Sequence, residues 1–164
     1  MKNYMKLELS AIGCNEGFAR SAVAAFALSL NPSLGELSDV KTVVSEAVTN
    51  CIVHAYKNTD NGKIFIECET VDNGRGGELH IKISDNGCGI DDVEAAMAPF
   101  YTTLPGDERS GMGFTIMQTF MDDFSVESKA GEGTCVRMVK KIGLVENLGN
   151  RELFSGVERE RLNA

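Results

Sequence analysis

No stretch of this chain is apolar for long enough to cross a membrane as a helix. The longest apolar run, Ala22 to Leu28, has seven residues, where a span needs about 20. The amino end (Met1, Lys2, Asn3, Tyr4, Met5, Lys6) leads into no signal-type apolar segment. Basic charge is also scarce: sixteen Lys and Arg stand against twenty-four Asp and Glu, a net charge of −8. Phosphate backbones repel so acidic a chain, which disfavours unassisted nucleic-acid binding. The five cysteines, at 14, 51, 68, 88 and 135, are odd in number and leave no C-x-x-C zinc or redox spacing. Reduced thiols in a cytosol are the expectation. Internal repeats, the phosphate-loop signature G-x-x-x-x-G-K-[ST] and the H-R-D and D-F-G pair are missing as well. What is present, 164 residues of which 43% are hydrophobic and 24% charged, predicts one globular domain over residues 1–142 followed by a mixed-charge tail over 143–164.

Met5, Leu7 and Leu9 alternate with Lys6, Glu8 and Ser10, which predicts a half-buried strand. Asn15 is placed to cap a helix with Phe18, Ala22, Ala25 and Phe26 on its apolar face, ending before Asn31-Pro32. Ser33-x-x-Glu36 reads as the capping box of a second helix. Its stripe of Val40, Val43, Val44, Ala47, Val48, Cys51, Ile52 and Ala55 marks it as a core element. Asn61-Gly62 turns the chain into a strand on Ile64, Ile66 and Cys68, and residues 72–77 form a hairpin into another on Leu79, Ile81 and Ile83. A short helix is expected over 91–98, an aperiodic loop over 99–110 and a helix over 111–121. Two final strands follow near 124–128 and 134–142. Because strands and helices do not alternate, the order predicts an α+β sandwich, with helices on one face of a mixed, mostly antiparallel sheet.

Glu46, Asn50 and His54 stand at i, i+4 and i+8, one column beside the apolar stripe. In most helices such a column is a solvated face. Here Asn is a poor mid-helix residue whose side-chain oxygen suits Mg²⁺, and a carboxylate one turn away can act as a base or orient a nucleophile. Asp85 falls at the buried phase of Leu79, Ile81 and Ile83, as an edge residue or as an acceptor for an exocyclic amine such as that of adenine. Asn86-Gly87-Cys88-Gly89 follows, either a plain turn or a backbone that approaches a ligand closely. Cys88 reads there as a small buried thiol. Gly111-Met112-Gly113 opens a helix, as packing glycines or as N–H groups at the positive end of a helix dipole, suited to phosphate. Arg109, just before it, offers a charged fork to a terminal phosphate.

In order, Glu46-Ala47-Val48-Thr49-Asn50, Asp85-Asn86-Gly87-Cys88-Gly89 and Gly111-Met112-Gly113 resemble the N, G1 and G2 boxes of the gyrase, Hsp90, histidine-kinase and MutL (GHKL) ATPase superfamily. Val44–Asn50, His54–Tyr56, Glu108–Met117 and Phe120–Asp122 resemble, more narrowly, the anti-sigma-F serine kinases of spore-forming bacteria, in register over about residues 4–141. The resemblance implies a two-layer α/β sandwich of the GHKL (Bergerat) ATPase type that binds ATP or ADP with Mg²⁺. It implies a cytoplasmic homodimer that holds a sporulation sigma factor and phosphorylates a serine of that factor's antagonist, an anti-anti-sigma protein. An acidic chain would then reach transcription indirectly, through a sigma factor whose DNA-facing surface is basic.

Residue by residue, the resemblance makes Asn50 the Mg²⁺ ligand and Glu46 the catalytic base or orienter. Asp85 receives the adenine amine with help from Thr134, and Gly87, Gly89, Gly111 and Gly113 shape the pocket. Thr102, Thr103, Ser110 and Met112 complete the nucleotide site, Arg109 sits in a lid near the γ-phosphate, and Glu16 and Arg20 contact protein partners. The lid departs from the family at Leu104, where relatives carry a basic residue, which would leave it one positive charge short. The histidine-kinase branch is disfavoured because His54 and His80 are the only histidines and no phospho-acceptor domain is present. Retention of Glu46 favours a kinase over an ATP-gated binding module with negligible turnover. A stress-response-type anti-sigma kinase is the alternative on partner identity, and an α+β domain without nucleotide the blandest reading.

Overall fold

The alternating segments become strands β1 (Lys2–Ser10), β2 (Lys63–Asp72), β3 (Gly77–Asp85), β4 (Asp123–Lys129) and β5 (Gly133–Ile142) in a computed structural model that describes residues 1–56, 61–74, 76–98 and 111–143. They form one sheet in the order β1-β2-β3-β5-β4, and every pairing is antiparallel. Within the described residues the expected mixed sheet is therefore wholly antiparallel. The register draws two apolar rows across all five strands: Leu7, Ile66, Ile83, Val136 and Val126, and beside it Met5, Cys68, Ile81, Met138 and Phe124. A third row begins with Leu9 and Ile64 and runs into Asp85. That break places a carboxylate where the pattern calls for a hydrocarbon.

Among the described residues, four α-helices pack on the apolar side: α1 (Cys14–Ala27), α2 (Leu34–Asn50), α3 (Val93–Met97) and α4 (Gly113–Phe120). The capping box forms as expected. Ser33 Oγ accepts from the Glu36 N–H and Glu36 Oε2 accepts from the Ser33 N–H, while the other Glu36 oxygen takes the Gly143 N–H at 3.1 Å. Along α2, Val40, Val43, Val44 and Val48 are fully buried, each contributing about 1.5–3 kcal/mol of apolar burial. The sheet's other face is polar: Glu67 accepts from the Tyr4 hydroxyl at 2.6 Å and pairs with Lys82 and Lys6. Among the described residues, no helix is long and apolar enough to cross a membrane.

Two expectations for α1 are corrected. The helix starts at Cys14, and Asn15, inside its first turn, sends its amide to the Ser10 carbonyl instead of capping. The buried face is Ala19, Val23, Ala24 and Ala27, while Phe18 is 54% exposed. Residues 22–28 are apolar all round, so the pattern gives no phase; the small residues win because they let α1 approach α2 closely. Beyond Asn50, α2 continues into a π-helical turn, Cys51–Ala55, that hydrophobic spacing does not reveal.

Candidate functional site

Helix α2 ends in unpaired carbonyls, as every helix does, and here the loop after β3 satisfies them. The Cys88 N–H donates to the Ala55 carbonyl at 2.8 Å and the Cys88 thiol to the His54 carbonyl at 3.1 Å. From the other side the Gly131 N–H donates to the Cys88 carbonyl at 2.7 Å. Tyr56 adds a clamp, its hydroxyl donating to the Lys63 carbonyl and accepting the Asn86 N–H. The loop is pressed so closely that a Cβ on Gly87 would stand 2.3 Å from the Ala55 carbonyl oxygen. Gly89, at φ +70°, would bring one within 2.1 Å of the Lys129 carbonyl oxygen. Neither position admits a side chain.

Asp85 stands at the head of this loop, 5% exposed. Its Oδ1 accepts the Gly87 N–H at 2.9 Å and the Thr134 N–H at 3.3 Å, and the Cys51 thiol faces the same carboxylate. Burial pushes the Asp85 carboxyl up, and the Gly87, Cys51 and Thr134 donors pull it back. Burial, and then the Asp85 charge, pushes the Cys51 thiol well up, so it stays protonated. Cys51 and Thr134, which both contact Asp85, line a cleft of about 630 Å³, so Asp85 stands directly behind its wall.

The far wall of that cleft is the start of α4. A Cβ on Gly113 would lie 3.1 Å from Glu46 Oε2 and 3.4 Å from Asn50 Nδ2, so carboxylate and amide converge on a helix N-terminus that has no side-chain cap. Helix α4 is held at both ends. The Phe114 ring lies against Phe124, and the Lys140 ammonium donates to the Phe120 carbonyl while pairing with Asp39 of α2. Hard oxygen donors on Glu46 and Asn50 fit Mg²⁺, which takes one or two protein oxygens and fills its sphere with phosphate and water.

The structure thus brings Glu46, Asn50, Gly89, Gly111, Met112, Gly113 and Thr134 to one cleft, with Asp85 bonded to Thr134 of its wall and Gly87 bonded in turn to Asp85. Thr102, Thr103, Leu104, Arg109 and Ser110 lie outside the described residues, as does the tail over 144–164. Cys88 is corrected: it is exposed and lines the cleft, because its flanking glycines press against neighbouring backbone and leave its side chain on the open side. Glu16 and Arg20 sit outside the cleft, 3.4 Å apart, with the Ser45 hydroxyl donating to Glu16 at 2.6 Å. Arg20, Lys41 and Ser45 line a shallower groove that shares Glu46 with the cleft. Sequence reasoning missed Cys51 as a partner of Asp85, since its place in the apolar stripe explains it fully. It also missed Ser128, an ordinary residue for a strand.

The family described as histidine kinase-like ATPase domain matches residues 16–140. Anti-sigma F factor of Clostridium botulinum (strain Eklund 17B / Type B) is 54% identical over 144 residues, covering 88% of this chain and 98% of that protein. Anti-sigma F factor of Bacillus subtilis (strain 168) is 47% identical over 150 residues, covering 92% and 100%. Among solved structures, the RsbU and RsbW domains of a Mycobacterium tuberculosis protein share the fold at a TM-score of 0.58 and 15% identity, over 85% of this chain and 32% of that one. The mycobacterial sensor histidine kinase MprB does so at 0.53 and 15%, over 85% and 98%. The chain belongs to the anti-sigma F factor family, built on the histidine kinase-like ATPase domain.

Proposed function

We propose that this protein is an ATP-dependent serine kinase and anti-sigma factor that holds a sporulation sigma factor and phosphorylates a serine of its anti-anti-sigma antagonist. The observation that carries the reading is the convergence of Glu46 and Asn50 on the N-terminus of α4, in the same cleft whose other end is tied to Asp85. The adenine amine donates to Asp85. The phosphates lie at the Gly111–Gly113 amides, where the helix dipole favours negative charge. Asn50 holds Mg²⁺, which when bound neutralises phosphate charge. Glu46 accepts the serine hydroxyl proton as that oxygen bonds the γ-phosphorus and ADP departs. Arg109, outside the described residues, would offer its guanidinium to the γ-phosphate. Glu16 and Arg20 contact the protein partners, and β1, an edge strand of the sheet, is the seam of a homodimer. That dimer predicts a particle of twice 17.7 kDa by light scattering; a strict monomer would count against it. The relatives' name supports the sigma-F branch over the stress-response one.

The deciding experiment is Glu46→Gln, assayed with labelled Mg·ATP and the antagonist. The isosteric amide should leave Mg·ATP binding within about tenfold of wild type, while serine phosphorylation falls at least about a hundredfold, the scale of a lost general base. Asn50→Ala should instead weaken Mg²⁺-dependent nucleotide binding itself. Phosphorylation by Glu46→Gln at the wild-type rate removes the base assignment. ATP binding by the wild type with no phosphoserine formed would make the protein a binding module.

A further inference from the structure

Ser128 stands on β4 directly across from Thr134 on β5, half-buried behind the cleft wall. Its Oγ accepts the Ile90 N–H at 2.9 Å, donates to the Gly133 carbonyl at 2.9 Å and lies 2.9 Å from Thr134 Oγ1. A serine hydroxyl has one proton and two lone pairs. With its proton on Gly133 and one lone pair taken by Ile90, Ser128 has only an acceptor left for Thr134. The Thr134 proton therefore points back between the strands, and its lone pairs are left for the cleft that Thr134 lines. The Thr134 N–H meanwhile donates to Asp85 Oδ1. Thr134 thus carries one acceptor, its hydroxyl, and through its N–H holds a second, the Asp85 carboxylate.

We propose that Ser128 is a specificity-determining positioning residue: by taking the Thr134 proton it makes the base pocket acceptor-only, suited to a 6-amino purine and hostile to a 6-oxo purine. The inference rests on the assignment of Asp85 to the adenine amine. A 6-amino group carries two hydrogens for two acceptors, whereas a 6-carbonyl sets lone pairs against lone pairs. A buried site built this way discriminates strongly, because the wrong base leaves its polar groups unpaired. Without the Ser128 oxygen, Thr134 can rotate its proton into the cleft and donate to a carbonyl. The Ile90 N–H also loses its acceptor, a loss that bears on both bases alike.

The test is calorimetric titration of wild type, Ser128→Ala, Ser128→Thr and Thr134→Val with ADP and IDP in the presence of Mg²⁺. The expected wild-type preference for ADP is at least about tenfold, and Ser128→Ala lowers the ADP-to-IDP preference by about three- to tenfold, the worth of one hydrogen bond. Ser128→Thr, which keeps the hydroxyl, restores it. Thr134→Val relaxes the preference to the same degree, and adding Ser128→Ala to it changes nothing further. If Ser128→Ala weakens ADP and IDP equally, or if Thr134→Val keeps the full preference, Ser128 is only scaffold and the inference falls alone. If the wild type binds ADP and IDP equally, the Asp85 assignment falls and takes this inference with it.

Discussion

Replacing Gly113 by alanine sets a gain for the helix against a loss for the site. Gly113 is the first residue of α4 and does not use the left-handed region, so alanine costs no backbone strain there. Helix propensity would favour it by up to about 1 kcal/mol, less in a first turn. Against this, the new Cβ would meet Glu46 Oε2 at 3.1 Å, Asn50 Nδ2 at 3.4 Å and Asn50 Oδ1 at 3.7 Å. The first contact is tight, so the carboxylate must give by a few tenths of an ångström, at a cost of up to about 1.5 kcal/mol if that takes it off its rotamer. The two terms nearly cancel, and global stability should stay within about 1 kcal/mol of wild type in urea unfolding, with an unchanged slope. Nucleotide binding should not be spared. The methyl group occupies the point where carboxylate, amide and helix N-terminus meet, and Mg·ATP affinity should fall at least about tenfold, or about 1.4 kcal/mol, by calorimetry. A folded Gly113→Ala variant with wild-type Mg·ATP affinity would refute the placement of the phosphates between Glu46, Asn50 and α4.

Asp85→Asn turns an amide toward a site that receives the Gly87 and Thr134 N–H donors, so ADP affinity should drop by about 1–3 kcal/mol and folding stability should fall with it. Equal calorimetric affinity of the wild type for ATP and GTP would sink the adenine assignment. On the open face of the sheet, the Tyr4 hydroxyl and then Lys82 hold the Glu67 carboxyl at about 2, below its ordinary value of 4.5. A depressed carboxylate stabilises the fold above its unfolded pKa and loses that contribution as pH falls toward the folded one. Discounted for solvent screening, Glu67→Gln should cost about 1 kcal/mol at neutral pH. That difference from wild type should shrink between pH 4.5 and 2, and a pH-independent difference in urea midpoint would contradict it.

The core was legible where residue size and spacing agreed. Helix α2 carries its valines at steps of three and four with a capping box at its start, and the structure buries those residues. The strands alternated as expected. Helix α1 shows a different face because alanines surround it: Phe26 packs against the core as expected, but Phe18 is turned out and the small residues Ala19, Ala24 and Ala27 are buried instead. At the site, Glu46 and Asn50 share a helix column and Asp85 interrupts an apolar phase, so each was visible alone. Their meeting came only from the family resemblance, since spacing along the chain carries no sign of it. Thr134 is forty-nine residues from Asp85, and only the pairing of β3 with β5, set by the whole sheet, brings them together. Ser128 had no signal at all, since its importance lies in where three other groups sit.

The two ends of the cleft are bound to one rigid element. Glu46 and Asn50 ride on the last turns of α2, whose apolar face is locked into the core. The same helix runs on through Cys51, which faces Asp85, to Ala55, whose carbonyl holds the Cys88 N–H. A regular helix end would release its last carbonyls to water. Here the His54 and Ala55 carbonyls are the attachment points of the loop that follows Asp85, so the backbone cost of ending the helix is met by the backbone on the Asp85 side of the cleft. The spacing between Asp85 and the Glu46–Asn50 pair is thereby set by helix geometry and core packing, which tolerate little deformation. On such a scaffold Glu46 and Asn50 are held by the core, while the proposed partner residues Glu16 and Arg20 lie outside the cleft on α1. The Ser45 to Glu16 hydrogen bond joins α1 to α2 one residue before Glu46, so under the proposed roles the partner residues and the reacting carboxylate are tied to the same helix.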